Sequence, residues 1–232
     1  MYLKLHHLLL SISLTAWALS QTCSAQVADS CNGDIVDERI DTVSINQRLP
    51  KRIFHTVIRD ECYTVDIFEQ GKPDTIQRIQ GEIGSNFPSD GIRFEDANFD
   101  GFRDLLLIYN FAGFGEQFEF WLFNPRSGRF EYNDEFTQAL DNDPSFDYKE
   151  QSIETGGNGG CMGMCFDYET YEVHEGKLLL VQRISQDLAV APTDKSPAIF
   201  IRTLERLQSG KMKIIARVKG TMEEVEEKAK SW

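Results

Sequence analysis

The sequence predicts an all-β fold: a small β-propeller-like meander of short antiparallel strands with a short C-terminal helix, or alternatively a β-sandwich. Three observations carry this. Apolar, β-branched and aromatic residues fall in short runs, several of them alternating with polar residues at period two. Glycine- and proline-bearing turn signals separate the runs. A helix signature is confined to the last dozen residues.

The chain opens on a targeting pattern. Lys4, His6 and His7 make a polar start, and Leu8 to Leu19 form an apolar core of secretory length, too short to span a bilayer. Cys23-Ser24-Ala25 offers small residues for cleavage after Ala25. A lipoprotein modified at Cys23 is the weaker alternative, because polar Ser20-Gln21-Thr22 precedes it. Residues 1–25 therefore read as a signal peptide, and residues 26–232 as one β-rich domain. No later segment is long and apolar enough for a membrane span. The expected location is periplasmic or secreted.

Removing 25 of the 232 residues leaves 207, enough for one well-cored domain. It takes away one charged residue, Lys4, and turns a net charge of −13 into −14. Such a surface repels nucleic acid and anionic lipid and suits cations or a basic protein partner. Cleavage also leaves an even four cysteines, Cys31, Cys62, Cys161 and Cys165, with three possible pairings. The local arrangement favours Cys161–Cys165 across a glycine-rich turn, with Cys31–Cys62 tying the N-terminal arm to a strand. Zinc at Cys161 and Cys165 is the alternative, but a second ligand pair is missing.

Strands are expected at 52–59, 62–69, 75–81, 92–95, 104–110, 119–124, 166–173, 177–184, 199–207 and 212–218. Hairpin connectors fall at Asn124–Gly128, His174–Gly176 and Gln208–Gly210, where glycine supplies positive φ. Phe120-Trp121-Leu122-Phe123 reads as a strand buried on both faces. Two segments read as loops, acidic 134–148 and glycine-rich 151–165, and long loops in a β domain are where binding surfaces usually form. Thr221-Met222-Glu223-Glu224 reads as a capping box opening a solvated terminal helix.

The most specific motif is Asp96-Ala-Asn98-Phe-Asp100-Gly101-Phe102-Arg-Asp104, which fits D-x-N-x-D-G-x-x-D. Calcium takes about six to eight oxygens. Alternate side chains of a tight loop converge, so Asp96, Asn98 and Asp100 can each supply one. Gly101 permits the reversal, after which the Phe102 carbonyl and the Asp104 carboxylate close the set. The twelfth position is Leu107 and a strand follows, so this is not an EF-hand. It is a loop running from turn into strand, with calcium as the expected cofactor. A second ion at Asp141, Asn142, Asp143 and Asp147 has weaker spacing. Catalytic groups are scarce: His55 and His174 are the two histidines after residue 25, and no nucleophile elbow marks a serine. A non-enzyme is expected. Phe111 to Phe114 is a candidate exposed apolar loop.

Phe94-Glu-Asp96-Ala-Asn98-Phe-Asp100-Gly-Phe-Arg-Asp104-Leu105, then Phe120-Trp121-Leu122-Phe123-Asn124-Pro125 and Ser127-Gly128-Arg129-Phe130, resembles a family of exported bacterial proteins. That family includes periplasmic lysozyme inhibitors and immunity proteins against peptidoglycan-cleaving effectors of type IV secretion. Gly176-Lys177-Leu178-Leu179-Leu180-Val181 resembles its late strand, and the likeness covers 62–183. The resemblance implies a small β-propeller-like or sandwich fold, calcium at the acidic loop, and a protruding loop that plugs a lysozyme cleft. The matching loop here contains Gly159, Gly160, Met162, Gly163, Met164 and Tyr168. It keeps the glycines and a tyrosine, lacks Ser-Gly-x-x-Tyr, and adds the cysteine pair. The function expected is an exported calcium-binding protein that binds and inhibits a lysozyme-like peptidoglycan hydrolase, the alternative being a carbohydrate- or envelope-binding module.

Overall fold

A computed structural model describes residue 31 and residues 33–83, 91–112, 115–140 and 142–232. The expected signal segment, Cys23, Asp141 and residues 113–114 of the expected apolar loop lie outside the described residues. The chain is all-β. Fourteen strands run in order: β1 (Ile35–Val43), β2 (Arg52–Arg59), β3 (Cys62–Glu69), β4 (Thr75–Glu82), β5 (Ile92–Glu95), β6 (Asp104–Ala112), β7 (Gly115–Asn124), β8 (Arg129–Tyr132), β9 (Ser145–Asp147), β10 (Ser152–Asn158), β11 (Phe166–His174), β12 (Lys177–Val190), β13 (Ile199–Gln208) and β14 (Lys211–Gly220). Among the described residues two α-helices accompany them, α1 (Asp134–Ala139) before β9 and α2 (Met222–Ala229) after β14. Within each sheet neighbours in sequence are neighbours in space, and they pair antiparallel. The result is three consecutive meanders, β1–β4, β5–β8 and β9–β14, none closed into a barrel.

Period-two patterning sets the first meander. In β2 Arg52, Phe54, Thr56 and Ile58 turn inward while the residues between them stay partly exposed. β3 answers with Tyr63, Val65 and Ile67. The middle meander differs, because both of its faces are covered. Leu105 and Leu107 of β6, with Phe123 and Phe130, pack against Phe54, Ile58 and Val65 of the first meander. Leu106 and Ile108, with Phe118 and Phe120, pack the other way, against Phe136 and Leu140 of the α1 region and Ile153 and Tyr171 of the third. A strand buried on both faces has no polar phase, which is why Leu105 to Ile108 is an unbroken apolar run. Phe54 meets Phe130 at 5.7 Å between ring centres, and Phe120 meets Phe136 at 5.9 Å, within aromatic pairing range.

The two expected loops are more ordered than their sequences suggest. Residues 134–148 contain α1, capped by the Asn133 side chain accepting from Phe136 N at 3.0 Å, and the short β9. Ser152–Asn158 form β10, paired along its length with β11. Glycine at 156 permits this pairing: a Cβ there would lie 2.1 Å from the Asp167 carbonyl oxygen, and φ is +136°. The close approach that excludes a side chain also removes the usual strand signal. β1 and β8 were likewise absent from the expected strands, while β12 runs six residues beyond its expected end. Both disulfides form as favoured, Cys31–Cys62 and Cys161–Cys165. The terminal helix carries its capping box and buries Val225, so it is docked against β13 and β14 and not merely solvated. No helix among the described residues is long and apolar enough to cross a membrane.

Two-faced burial makes a direct prediction. Leu106→Ala and Leu107→Ala, one residue apart, should each destabilise the chain by about 2–5 kcal/mol in urea unfolding. A sheet with one wet face would tolerate one of the two.

Candidate metal loop and candidate partner-binding tip

The acidic loop joins β5 to β6 at the edge of the dry interior. Its side chains fold back on its own backbone. Asp96 Oδ1 and Oδ2 accept from the N–H groups of Asp100 and Gly101, each at 2.9 Å. Asn98 Oδ1 accepts from Asp100 N at 3.2 Å, and Asp100 Oδ1 from Phe102 N at 2.9 Å. Phe99 and Gly101 take positive φ, +56° and +86°, which lets consecutive N–H groups turn inward. Tyr148 closes the side of the loop, donating to Glu95 at 2.5 Å and setting its ring edge-on to Phe99. Burial pushes the Asp96 carboxyl above the usual carboxylate range, and the neighbouring Asp100 charge adds to it.

Asp104 is the unusual member. It is fully buried, and its two oxygens are divided between two elements: Oδ2 accepts from Ala97 N at 2.9 Å and Oδ1 from Phe123 N at 2.8 Å. Burial pushes its pKa up to about 7, against the two N–H bonds that favour the anion, with the Asp100 and Asp96 charges raising it further. The donors at hand, two exposed-side carboxylates, an amide oxygen and a backbone carbonyl, are the hard oxygens that calcium prefers. In the described geometry the Asp96, Asn98 and Asp100 side chains accept from backbone N–H groups instead. Among the described residues no group of three or more His, Cys, Asp or Glu side chains is drawn together as a metal cluster.

One wall of the acidic loop faces a cleft of about 900 Å³, whose other wall is the β1–β2 connection, residues 44–49. Asn46 Nδ2 donates to the Gly101 carbonyl at 2.6 Å and Arg103 N to the Ile45 carbonyl at 2.9 Å, bonds that tie the two loops together. Nothing in the 44–49 sequence marks this role, because it is set by a pairing 55 residues apart.

The glycine-rich loop lies elsewhere, at one end of the third meander. It is a compact tip, a 3-10 turn at Cys161–Gly163 closed by its disulfide and by Gly159 N donating to the Cys165 carbonyl at 2.8 Å. Cys161 and Met162 both stand at positive φ, +46° and +57°, and this throws the Met162 side chain outward, 99% exposed. Met164 and Tyr168 are exposed beside it, with Tyr168 against Phe166 at 5.3 Å. The base is held by Gln186, a buried side chain on β12. It donates to the Met164 carbonyl at 2.6 Å and accepts from Arg202 Nε at 2.9 Å, while its amide lies 3.5 Å from the Met222 sulfur. The Arg202 guanidinium lies over the Phe166 ring at 5.2 Å. Sequence reading found the tip and missed Gln186, whose polarity inside a strand is a signal only once burial is known.

The remaining candidates fall on surfaces. His55 pairs with Glu38 at 2.7 Å and His174 with Glu172 at 2.9 Å. Asp143 and Asp147 do not converge: the former faces Arg93 at 3.7 Å and the latter caps Lys149 N and Glu150 N.

The fold has a solved counterpart. A Xanthomonas type IV secretion system related protein superposes with a TM-score of 0.50 at 18% identity, over 77% of this chain and 99% of that one. At that identity the likeness speaks for the fold. No protein-family model matches the sequence, and no curated protein does.

The Asp104 carboxyl gives a pH prediction. Its pKa is higher folded than unfolded, so the folded chain holds the proton more tightly and gains stability where the group is protonated. Ion-free protein should therefore lose stability as pH rises from about 4 to about 7, by at most about 4 kcal/mol. Urea unfolding in chelator should show that slope, and Asp104→Asn should flatten it; an equal slope in both proteins would refute the assignment.

Proposed function

We propose that this chain is an exported, calcium-stapled binding protein that docks its disulfide-closed tip into a lysozyme-like peptidoglycan hydrolase and inhibits it. The observation that carries the reading is Met162, fully presented at the end of a tip that is fixed from below. An apolar knob held rigid before binding loses little conformational entropy on entering a cleft. Two disulfides fit an oxidising compartment such as the periplasm. The net charge of −13 suits a cationic hydrolase, since complementary fields speed encounter. The counterpart's description as a type IV secretion system related protein fits a place among envelope proteins that meet such hydrolases.

In this reading calcium is held by Asp96, Asn98, Asp100 and the Phe102 carbonyl, with Asp104 behind them. The ion would neutralise carboxylates that otherwise raise one another's pKa. Its role is to fix the loop where β5 turns into β6, away from the tip. A binding protein is favoured over an enzyme because His55 and His174 sit on strand surfaces against glutamates.

The test is clearance of a peptidoglycan suspension by purified cationic lysozymes. The chain should slow clearance, and Met162→Asp and Tyr168→Ala should each weaken inhibition by about tenfold or more, as expected of central anchors. Unchanged clearance would refute inhibition. Retention on peptidoglycan without inhibition would instead indicate the envelope-binding module.

A further inference from the structure

The first and last strands of the fold are both edges. Among the described residues β1 pairs with β2 alone and β14 with β13 alone. An open edge presents a row of N–H and C=O groups that can pair with another chain. These two edges match in length, nine residues and ten, and they oppose in charge.

β14 carries Lys211, Lys213, Arg217 and Lys219, all exposed, and no acidic residue, although the chain as a whole is at −13. β1 carries Asp37, Glu38 and Asp41 against a single Arg39. Arg39 reaches Asp41 at 3.2 Å and His55 reaches Glu38 at 2.7 Å, contacts that fix the carboxylates along the strand. Each edge also exposes branched apolar side chains, Ile40 (68% exposed) on β1 and Ile214 and Ile215 on β14. Lysines on an edge strand ordinarily keep it from pairing. Here they repel a second β14, and the acidic residues repel a second β1. Between these two edges the pairing left favourable is β14 against β1.

We propose that copies of this chain associate head to tail, β14 of one copy adding to the β1 edge of the next. The contact is heterologous, so it yields rings or short open chains according to whether the rotation closes. A strand-to-strand contact falls below the roughly 1,200 Å² of stable interfaces. The association is accordingly weak, and salt weakens it further through screening over about 8 Å.

Sedimentation velocity of the whole exported chain over a concentration series, at low and high salt, tests this. Wild-type mass should rise with concentration at low salt and fall to the monomer at high salt. Lys213→Glu/Arg217→Glu and Asp37→Lys/Glu38→Lys should each stay monomeric, with circular dichroism confirming the fold of each. Their equimolar mixture should associate at least about tenfold more tightly than either variant alone. A wild type that stays monomeric throughout, or a mixture that does, overturns the proposal. So does association abolished in the β14 variant but kept in the β1 variant, the result expected if β14 takes a different acidic partner.

Discussion

One buried carboxylate holds the centre of this molecule together. Asp104 stands at the first residue of β6, inside the sheet covered on both faces, and accepts from Ala97 N with one oxygen and from Phe123 N with the other. The first bond closes the acidic loop; the second pins the loop to β7, where Phe123 stacks on Phe102 at 5.5 Å. Burying a carboxylate is costly, and two N–H bonds do not fully offset it, hence a pKa near 7. The loop is thus built around a charge the interior resists. A cation on its outer side is the physical remedy the donor set offers.

From that centre the structure divides labour by direction. The middle meander is the packed layer, and the first meander covers one of its faces. The third covers the other and then runs on past it, its longest strand, β12, spanning 14 residues. The extension carries the stapled tip. Met162 can be fully exposed without collapsing onto the surface because Gln186 fixes the backbone beneath it, and the disulfide keeps two successive residues at positive φ. In the proposed function, specific binding falls to this small rigid feature, while the acidic loop serves the scaffold.

Much of this was legible in the sequence wherever side chains face one wet and one dry environment. β2 and β3 alternate cleanly, so their bounds followed from period two. The Leu105–Ile108 run and the Phe120–Phe123 run signalled two-faced burial, and the local arrangement of the four cysteines favoured, among three pairings, the two bridges that form. What was hidden depends on partners distant in sequence. β1 exposes charged residues along an edge and shows no apolar phase; β10 gave up its side chain at Gly156 to admit Asp167. The acidic loop was readable as a donor set, but Asp104's bond to Phe123 N, 19 residues away, was not.

Completion of the acidic loop by an ion is the central proposal. The most direct measurement is thermal unfolding of chelator-stripped chain at neutral pH, with and without calcium, beside Asp100→Ala. Calcium should raise the midpoint of the natural sequence, with stabilisation approaching about 4 kcal/mol at ~1,000-fold excess over Kd. It should leave Asp100→Ala unmoved. Superimposable curves for the natural chain with calcium and with chelator would contradict the account.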